Sequence, residues 1–172
     1  MPDPTSTHPE SPLRPAARRP WLVAGVLVLV FILTAWPVIL SGSQRGRMAA
    51  DQIDYHELVV RQFLADFPRP DFSDYRSATT PGYHFVVAAA ARVVGDSRVT
   101  LQILGSLFTI ALLGVLGWAV GTRAPPTMAL ALCAPVLASL YVWPAGVWLL
   151  PDNAGWLGVL AILLIALDRK ST

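Results

Sequence analysis

The chain has 172 residues, of which 54% are hydrophobic and only 14% are charged, and its mean hydropathy is +0.53. Soluble domains usually carry about a quarter charged residues, so this composition indicates a membrane protein. The net charge of +2 comes from scattered arginines without a basic, aromatic-bearing cluster, which argues against nucleic acid as a partner. The single cysteine, Cys133, lies in an apolar run and is expected to be a buried, unreactive thiol.

The N-terminal part predicts a tail followed by a membrane anchor. Residues 1–20 are rich in proline, serine and threonine, which predicts a disordered tail. Residues 21–40 form an apolar run of the length that crosses a bilayer. Because Arg14, Arg18 and Arg19 precede this run, the positive-inside rule places the tail in the cytoplasm. The length of the run favours an uncleaved anchor over a signal peptide.

Residues 41–81 are predicted to form an outer loop that contains an amphipathic helix. Apolar residues recur at helical spacing through residues 48–67, from Ile53 to Val59, Phe63 and Phe67, whereas Glu57 falls among the charged residues of the other faces. This pattern is typical of a helix that lies on a membrane surface. Prolines end the helix, and a loop follows over residues 71–77.

The remaining chain predicts further apolar helices. Pro81 is expected in the first turn of a short helix over Gly82–Val94, and a longer helix over residues 100–120 has glycines that allow close helix packing. Two more helices are expected over residues 128–143 and 155–167. We therefore predict an all-α, polytopic protein of the cell membrane. It has about four to five transmembrane or re-entrant helices in one membrane domain, residues 21–172, with an amphipathic juxtamembrane helix.

The charges leave two topologies open. If Gly82–Val94 crosses the bilayer, Arg92 and Arg98 lie inside as the positive-inside rule prefers, but Asp152 also lies inside. If that helix only dips into the membrane, Arg123 and the basic C-terminus lie inside and Asp152 lies outside. The shortness of Gly82–Val94 favours the second topology, and snorkelling arginines favour the first.

The outer loop is the most polar part of the chain beyond its tail. Six of the eleven acidic residues lie in it: Asp51, Asp54, Glu57, Asp66, Asp71 and Asp74. Asp51 and Asp54 are three residues apart and are predicted to share a helix face, with His56 pointing away. Such a carboxylate pair suits a general base, and the alternative is a solvated acidic surface.

Other polar residues in the loop and just after it also have two interpretations. Tyr83 and His84 begin an apolar helix, where they either bind a ligand or belong to an interfacial aromatic belt. Arg61, Arg69 and Arg76 pair either with a phosphate or with the nearby acidic residues.

Three short stretches together carry a resemblance to a known enzyme class. They are DQIDYH at residues 51–56, TTPGYH at residues 79–84 and PDNAG at residues 151–155. In this order, after a first span, they resemble the GT-C class of polytopic glycosyltransferases. Within that class the chain looks most like the dolichyl-phosphate-glucose-dependent α-1,2-glucosyltransferases, over residues 51–167.

The resemblance implies an inverting sugar transfer without a metal or other cofactor. The sugar passes from a polyprenyl-phosphate donor to an acceptor hydroxyl at the outer membrane face. An acidic residue, Asp51 or Asp54, would deprotonate the acceptor, and basic or histidine side chains would hold the donor phosphate. The residues implied in substrate binding are His56, Arg76, Thr79, Thr80, Tyr83, His84 and Asp152.

The size of the chain adds one expectation, and two rival functions remain. GT-C enzymes have more spans, so the chain would supply the first part of the fold, and a second membrane polypeptide would complete it. The first rival is a non-catalytic membrane subunit or assembly protein that binds a partner through its acidic outer loop. The second, a small transporter, predicts ionisable residues in mid-span, and apart from Gln102 and Asp152 the helices lack them.

Overall fold

The computed structural model describes residues 19–73, 75 and 79–169 of the chain. Every regular element in these ranges is a helix, as predicted. The elements in chain order are α1 (Pro20–Leu40), α2 (Arg47–Asp51), a π-helical turn (Gln52–His56), α3 (Glu57–Ala65), α4 (Gly82–Val94), α5 (Arg98–Gly121), α6 (Pro126–Leu137), α7 (Val142–Val147) and α8 (Asp152–Asp168). The predicted tail lies outside the described residues, except that Arg19 precedes α1 and Pro20 begins it.

Two helices are long and apolar enough to cross a membrane. They are α1, with 21 residues, and α5, with 24 residues. Helices α4 and α6 are apolar but have only 13 and 12 residues. At about 1.5 Å per residue, each of these is shorter than a hydrocarbon core of roughly 30 Å. The two long helices are consistent with the predicted membrane location.

Helices α1 and α5 pack antiparallel through the glycines predicted for close approach. A Cβ atom on Gly117 would lie 2.8 Å from Cα of Ala24, and one on Gly121 would lie 2.7 Å from Cα of Pro20. The end of α5 therefore lies beside the start of α1. Only glycine allows the two backbones to come this close.

This pairing determines where residues 41–97 lie. Because α5 begins beside the end of α1, residues 41–97 leave and return at the same end of the helix pair. Helix α4 has the predicted bounds, with Pro81 one position before its first turn, and it folds back along the start of α5. A Cβ atom on Gly105 would lie 2.7 Å from the Tyr83 hydroxyl. Helix α4 thus runs beside the first half of α5.

The predicted amphipathic helix is present as α2, the π-helical turn and α3. Val59 and Phe63 face the bundle and are buried at 6% and 1% exposure. The prediction that Glu57 lies on a polar outer face is wrong, because it is buried together with Gln52. Phe67 lies beyond the end of α3.

The predicted single helix over residues 128–143 is also wrong. Helix α6 ends at Leu137, and α7 begins at Val142 with Pro144 in its first turn. Proline has no backbone N–H and disfavours a helical residue before it, so it fits best in a first turn, as Pro144 does here, although Pro37 and Pro135 lie inside α1 and α6. The sequence around Pro144 therefore starts a new helix.

Helix α8 runs alongside α5 in the same direction. Leu157 and Leu107 line one groove between the helices, and Leu160 and Leu116, one level further along both, line the next. Asp152, the first residue of α8, consequently lies near the level of α5 at which α4 begins. It is exposed there.

Candidate functional site

A buried glutamine in the π-helical turn joins this turn to the rest of the helices. Gln52 is fully buried, and its Oε1 accepts hydrogen bonds from Nε2 of Gln102 at 3.0 Å and from the backbone N–H of Leu149 at 3.1 Å. These contacts connect the π-helical turn to α5 and to the segment just before α8. A buried amide with satisfied hydrogen bonds fixes the relative positions of its partners.

A buried carboxylate provides a second connection. Glu57 Oε2 accepts a hydrogen bond from Nε of Arg98 at 2.7 Å, and Oε1 accepts one from Arg61 at 2.8 Å. Burial alone would raise the pKa of Glu57, but the hydrogen bonds from Arg98, Arg61 and Gln52 hold that pKa below its ordinary value. Glu57 is therefore ionised and fully engaged, and it has a structural role at the start of α5.

The π-helical turn separates the two predicted catalytic carboxylates. In an α-helix, Asp51 and Asp54 would share a face. A π-helical turn closes hydrogen bonds between residues five apart, which brings residue i+5 rather than i+3 above residue i. Asp51 is accordingly half-buried and acts electrostatically on His56, whereas Asp54 is exposed. The predicted shared face is wrong.

Two histidines, a tyrosine and a threonine form a chain of hydrogen bonds. His56 Nδ1 lies 2.9 Å from His84 Nε2, and His84 Nδ1 lies 3.0 Å from the hydroxyl of Tyr75. The Tyr75 hydroxyl is 3.5 Å from Oγ1 of Thr79. His84 is fully buried with both ring nitrogens engaged, so it has no nitrogen left for a donor phosphate.

Both histidines are held neutral. Burial lowers the pKa of His56, although the nearby carboxylates of Asp152 and Asp51 act in the opposite direction. Burial and the neighbouring His56 lower the pKa of His84 to about 4. At neutral pH each ring therefore carries one proton and offers one donor and one acceptor nitrogen.

A cleft of about 350 Å³ opens next to these hydrogen-bonded residues, and Thr79 belongs to both. Its polar lining comes from Thr79, Thr80, Tyr83 and Asp152. The Tyr83 hydroxyl is buried and has no hydrogen-bond partner within the described part of the chain. Burial, and then the charge of Asp152, raise the pKa of Tyr83, so its hydroxyl remains protonated. The cleft thus combines hydroxyl groups with a carboxylate.

The structure brings most of the predicted site residues together. They are Asp51, His56, Thr79, Thr80, Tyr83, His84 and Asp152. Asp54 is exposed and does not line the cleft, and Arg76 lies outside the described residues. Tyr75 was not predicted as a partner of His84, because a loop residue gives no periodic signal. No group of three or more histidine, cysteine or acidic side chains suited to a metal occurs within the described ranges.

The neutral state of His84 predicts that stability depends on pH. Its pKa is about 4 in the folded state and 6.5 when unperturbed, so between these values the unfolded chain binds a proton that the folded protein does not. The free energy of unfolding should therefore fall from about pH 6.5 towards pH 4, by up to about 1.4 kcal/mol per pH unit from this group.

Urea unfolding of the solubilised protein at several pH values measures this effect. His84→Asn removes the titrating ring, so the variant should lose less stability than the wild type over the same range. Equal losses in the two proteins would show that His84 is not held neutral by the fold.

The chain matches no family model, no curated protein and no solved structure.

Proposed function

We propose that the chain is part of a GT-C-type membrane glycosyltransferase. It transfers a sugar from a polyprenyl-phosphate donor to an acceptor hydroxyl at the outer face of the cell membrane. The observation that carries this proposal is the convergence of residues 51–56, 79–84 and 151–155, distant in sequence, around one cleft and the hydrogen-bond chain beside it. These are the stretches that resemble the GT-C glucosyltransferases.

The lining of the cleft suits a sugar hydroxyl better than a phosphate. Carboxylates accept hydrogen bonds from hydroxyl groups, and the threonine hydroxyls both donate and accept them. The charges that act on His56 are the carboxylates of Asp51 and Asp152, which repel a phosphate. The acceptor hydroxyl therefore binds between Asp152 and His56, and the donor phosphate lies further from these carboxylates.

The proposed membrane arrangement combines the helix directions with the positive-inside rule. In the proposal α1, α5, the broken pair α6 and α7, and α8 each cross the bilayer, and α4 dips into it from outside. Arg19, Arg123 and Arg169 then lie on the cytoplasmic side, and the cleft opens outward. This topology gives four crossings and one re-entrant helix in a multi-pass protein. A second membrane polypeptide completes the donor groove.

Transfer of labelled sugar in native membranes tests the proposal. Membranes from cells that make the chain are mixed with radiolabelled polyprenyl-phosphate glucose and an alkyl glucoside as acceptor. We expect a labelled disaccharide product and release of polyprenyl phosphate. Asp152→Asn should lower the rate roughly 10- to 100-fold, because the carboxylate no longer binds and polarises the acceptor.

A carboxylate outside the cleft provides the matched control. Asp96 is exposed in the turn between α4 and α5, and Asp96→Asn should leave transfer unchanged. If wild-type membranes release no polyprenyl phosphate from polyprenyl-phosphate glucose, the transferase proposal fails for this donor. The alternative, a non-catalytic subunit that binds a partner through the acidic loop, then takes its place.

A further inference from the structure

The hydrogen bonds that link His56, His84, Tyr75 and Thr79 can be donated in either of two directions. The two directions differ in whether His56 Nε2 carries a proton. In one direction His56 Nδ1–H donates to His84 Nε2, His84 Nδ1–H donates to the Tyr75 hydroxyl oxygen, and Tyr75 donates to Thr79. His56 Nε2 then carries a lone pair. In the reverse direction Tyr75 donates to His84, His84 donates to His56 Nδ1, and His56 Nε2 carries the proton.

His56 Nε2 is the one ring nitrogen of this pair without a hydrogen-bond partner among the described residues. The His56 ring is half-buried, whereas His84 is fully buried. A substrate hydroxyl can therefore reach His56 but not His84. His84 is held by hydrogen bonds to Tyr75 and His56, so its role is limited to orienting the His56 ring.

The charged groups around His56 favour its protonated form. Asp51 faces it from α2 and Asp152 from α8, while α4 contributes the neutral ring of His84. Glu57, the next acid along the helix, is occupied by Arg98 and Arg61. An imidazolium formed during a reaction is thus stabilised by two carboxylates.

We infer that His56, rather than a carboxylate, is the general base of the proposed transfer, and that His84 and Tyr75 are positioning residues that keep its Nε2 unprotonated. This inference rests on the proposed function. The first direction of the chain accommodates both the neutral base and its conjugate acid without rearrangement. In both states His56 Nδ1–H donates to His84, and only Nε2 gains the proton.

The step balances as a single displacement. The acceptor O–H gives its proton to His56 Nε2, and the oxygen lone pair forms the bond to the anomeric carbon of the donor sugar. The bond from that carbon to the phosphate oxygen breaks, and its electron pair leaves with polyprenyl phosphate. His56 then releases its proton to water. Imidazole is suited to this role near neutral pH, because its unperturbed pKa of about 6.5 exceeds that of a carboxylate and lies close to the operating pH.

The pH dependence of kcat/KM tests the assignment in native membranes. In the wild type, kcat/KM should fall on the acidic side with a midpoint below about 6.5, since burial lowers the pKa of His56. His56→Gln should lower kcat/KM by about 10²- to 10⁴-fold and remove this acidic limb. His8→Gln, which changes a histidine outside the described residues, is the matched control and should keep the wild-type profile. A His56→Gln variant that retains the wild-type rate or the same acidic limb overturns the inference.

The tautomers can be measured without any turnover. The chain has three histidines, so ¹⁵N-histidine spectra of the protein in lipid nanodiscs can be assigned with single variants. At neutral pH we expect His56 to be protonated at Nδ1 and unprotonated at Nε2, and His84→Phe should abolish this preference. A proton on Nε2 of His56 in the wild type, or no change in His84→Phe, overturns the positioning role. Absence of transfer by the wild type, with the expected tautomers present, instead contradicts the proposed function.

Discussion

Asp51→Asn is expected to lower sugar transfer by about 10²-fold or more while the protein remains folded. Asp51 is half-buried and acts on His56, so its negative charge stabilises the imidazolium that forms when His56 takes the acceptor proton. Asparagine keeps the shape of the side chain but removes this charge. Initial rates with radiolabelled polyprenyl-phosphate glucose in native membranes, normalised to the amount of protein, measure the loss.

Asp54→Asn is the matched control, because the π-helical turn leaves Asp54 exposed and away from the cleft. Its rate should stay within about twofold of the wild type, as is usual for an exposed surface substitution. A larger loss in Asp54→Asn than in Asp51→Asn would contradict the geometry of the turn. Full activity in both variants would leave the acidic face as a solvated surface and favour the partner-binding alternative.

Gly117→Val is expected to destabilise the fold by about 3 kcal/mol or more, at the upper end of the usual cost of overpacking. The added Cβ atom would lie 2.8 Å from Cα and 2.9 Å from N of Ala24, so the obstacle is the backbone of α1 rather than a flexible side chain. Helices α1 and α5 would have to separate, and the buried contacts between them would be lost. Thermal unfolding of the solubilised protein, followed by circular dichroism, measures the effect.

Gly25 provides a control on the partner helix. A Cβ atom there meets nothing within 4 Å, so Gly25→Val introduces the same side chain without a clash. Its stability should stay close to that of the wild type, because valine is only slightly better than glycine in a helix. Similar losses in both variants would mean that the side chain, rather than the close approach of α1 and α5, causes the effect.

Local signals in the sequence predicted much of the fold. Pro81 and Gly82 start α4 at the predicted residue, and the apolar runs gave α1 and α5 to within a few positions. The glycines of α5 also lie at the predicted helix contact. Such signals depend on short-range properties, namely proline geometry, apolar length and the absence of a side chain.

The errors arise where tertiary contacts override the local pattern. Helical periodicity placed Glu57 outside and paired Asp51 with Asp54. In the structure, Gln52 and Glu57 are buried and hydrogen-bond Gln102 and Arg98. A π-helical turn over Gln52–His56 replaces the α-helical spacing at this point. Partners such as Gln102 and Arg98 are about 40 to 50 residues away, so no periodicity within the helix could identify them. Tyr75 is only nine residues from His84, but it lies in the loop before α4, where no periodic pattern indicates a partner.

Protection of Thr80→Cys by the donor tests most directly whether the cleft binds the substrates of a sugar transfer. Thr80 is exposed and lines the cleft, and Cys133, which is buried, is replaced by alanine so that the new thiol is the only one. In right-side-out vesicles, a membrane-impermeant maleimide should label Thr80→Cys. Polyprenyl-phosphate glucose should slow the labelling, because its glucosyl group must reach the acceptor site in the cleft, whereas polyprenol should not. Ser41 is exposed just after the C-terminal end of α1, and Ser41→Cys should react equally with and without donor. Labelling of Thr80→Cys only after permeabilisation, or at a rate that the donor does not change, would contradict an outward-facing sugar-transfer site.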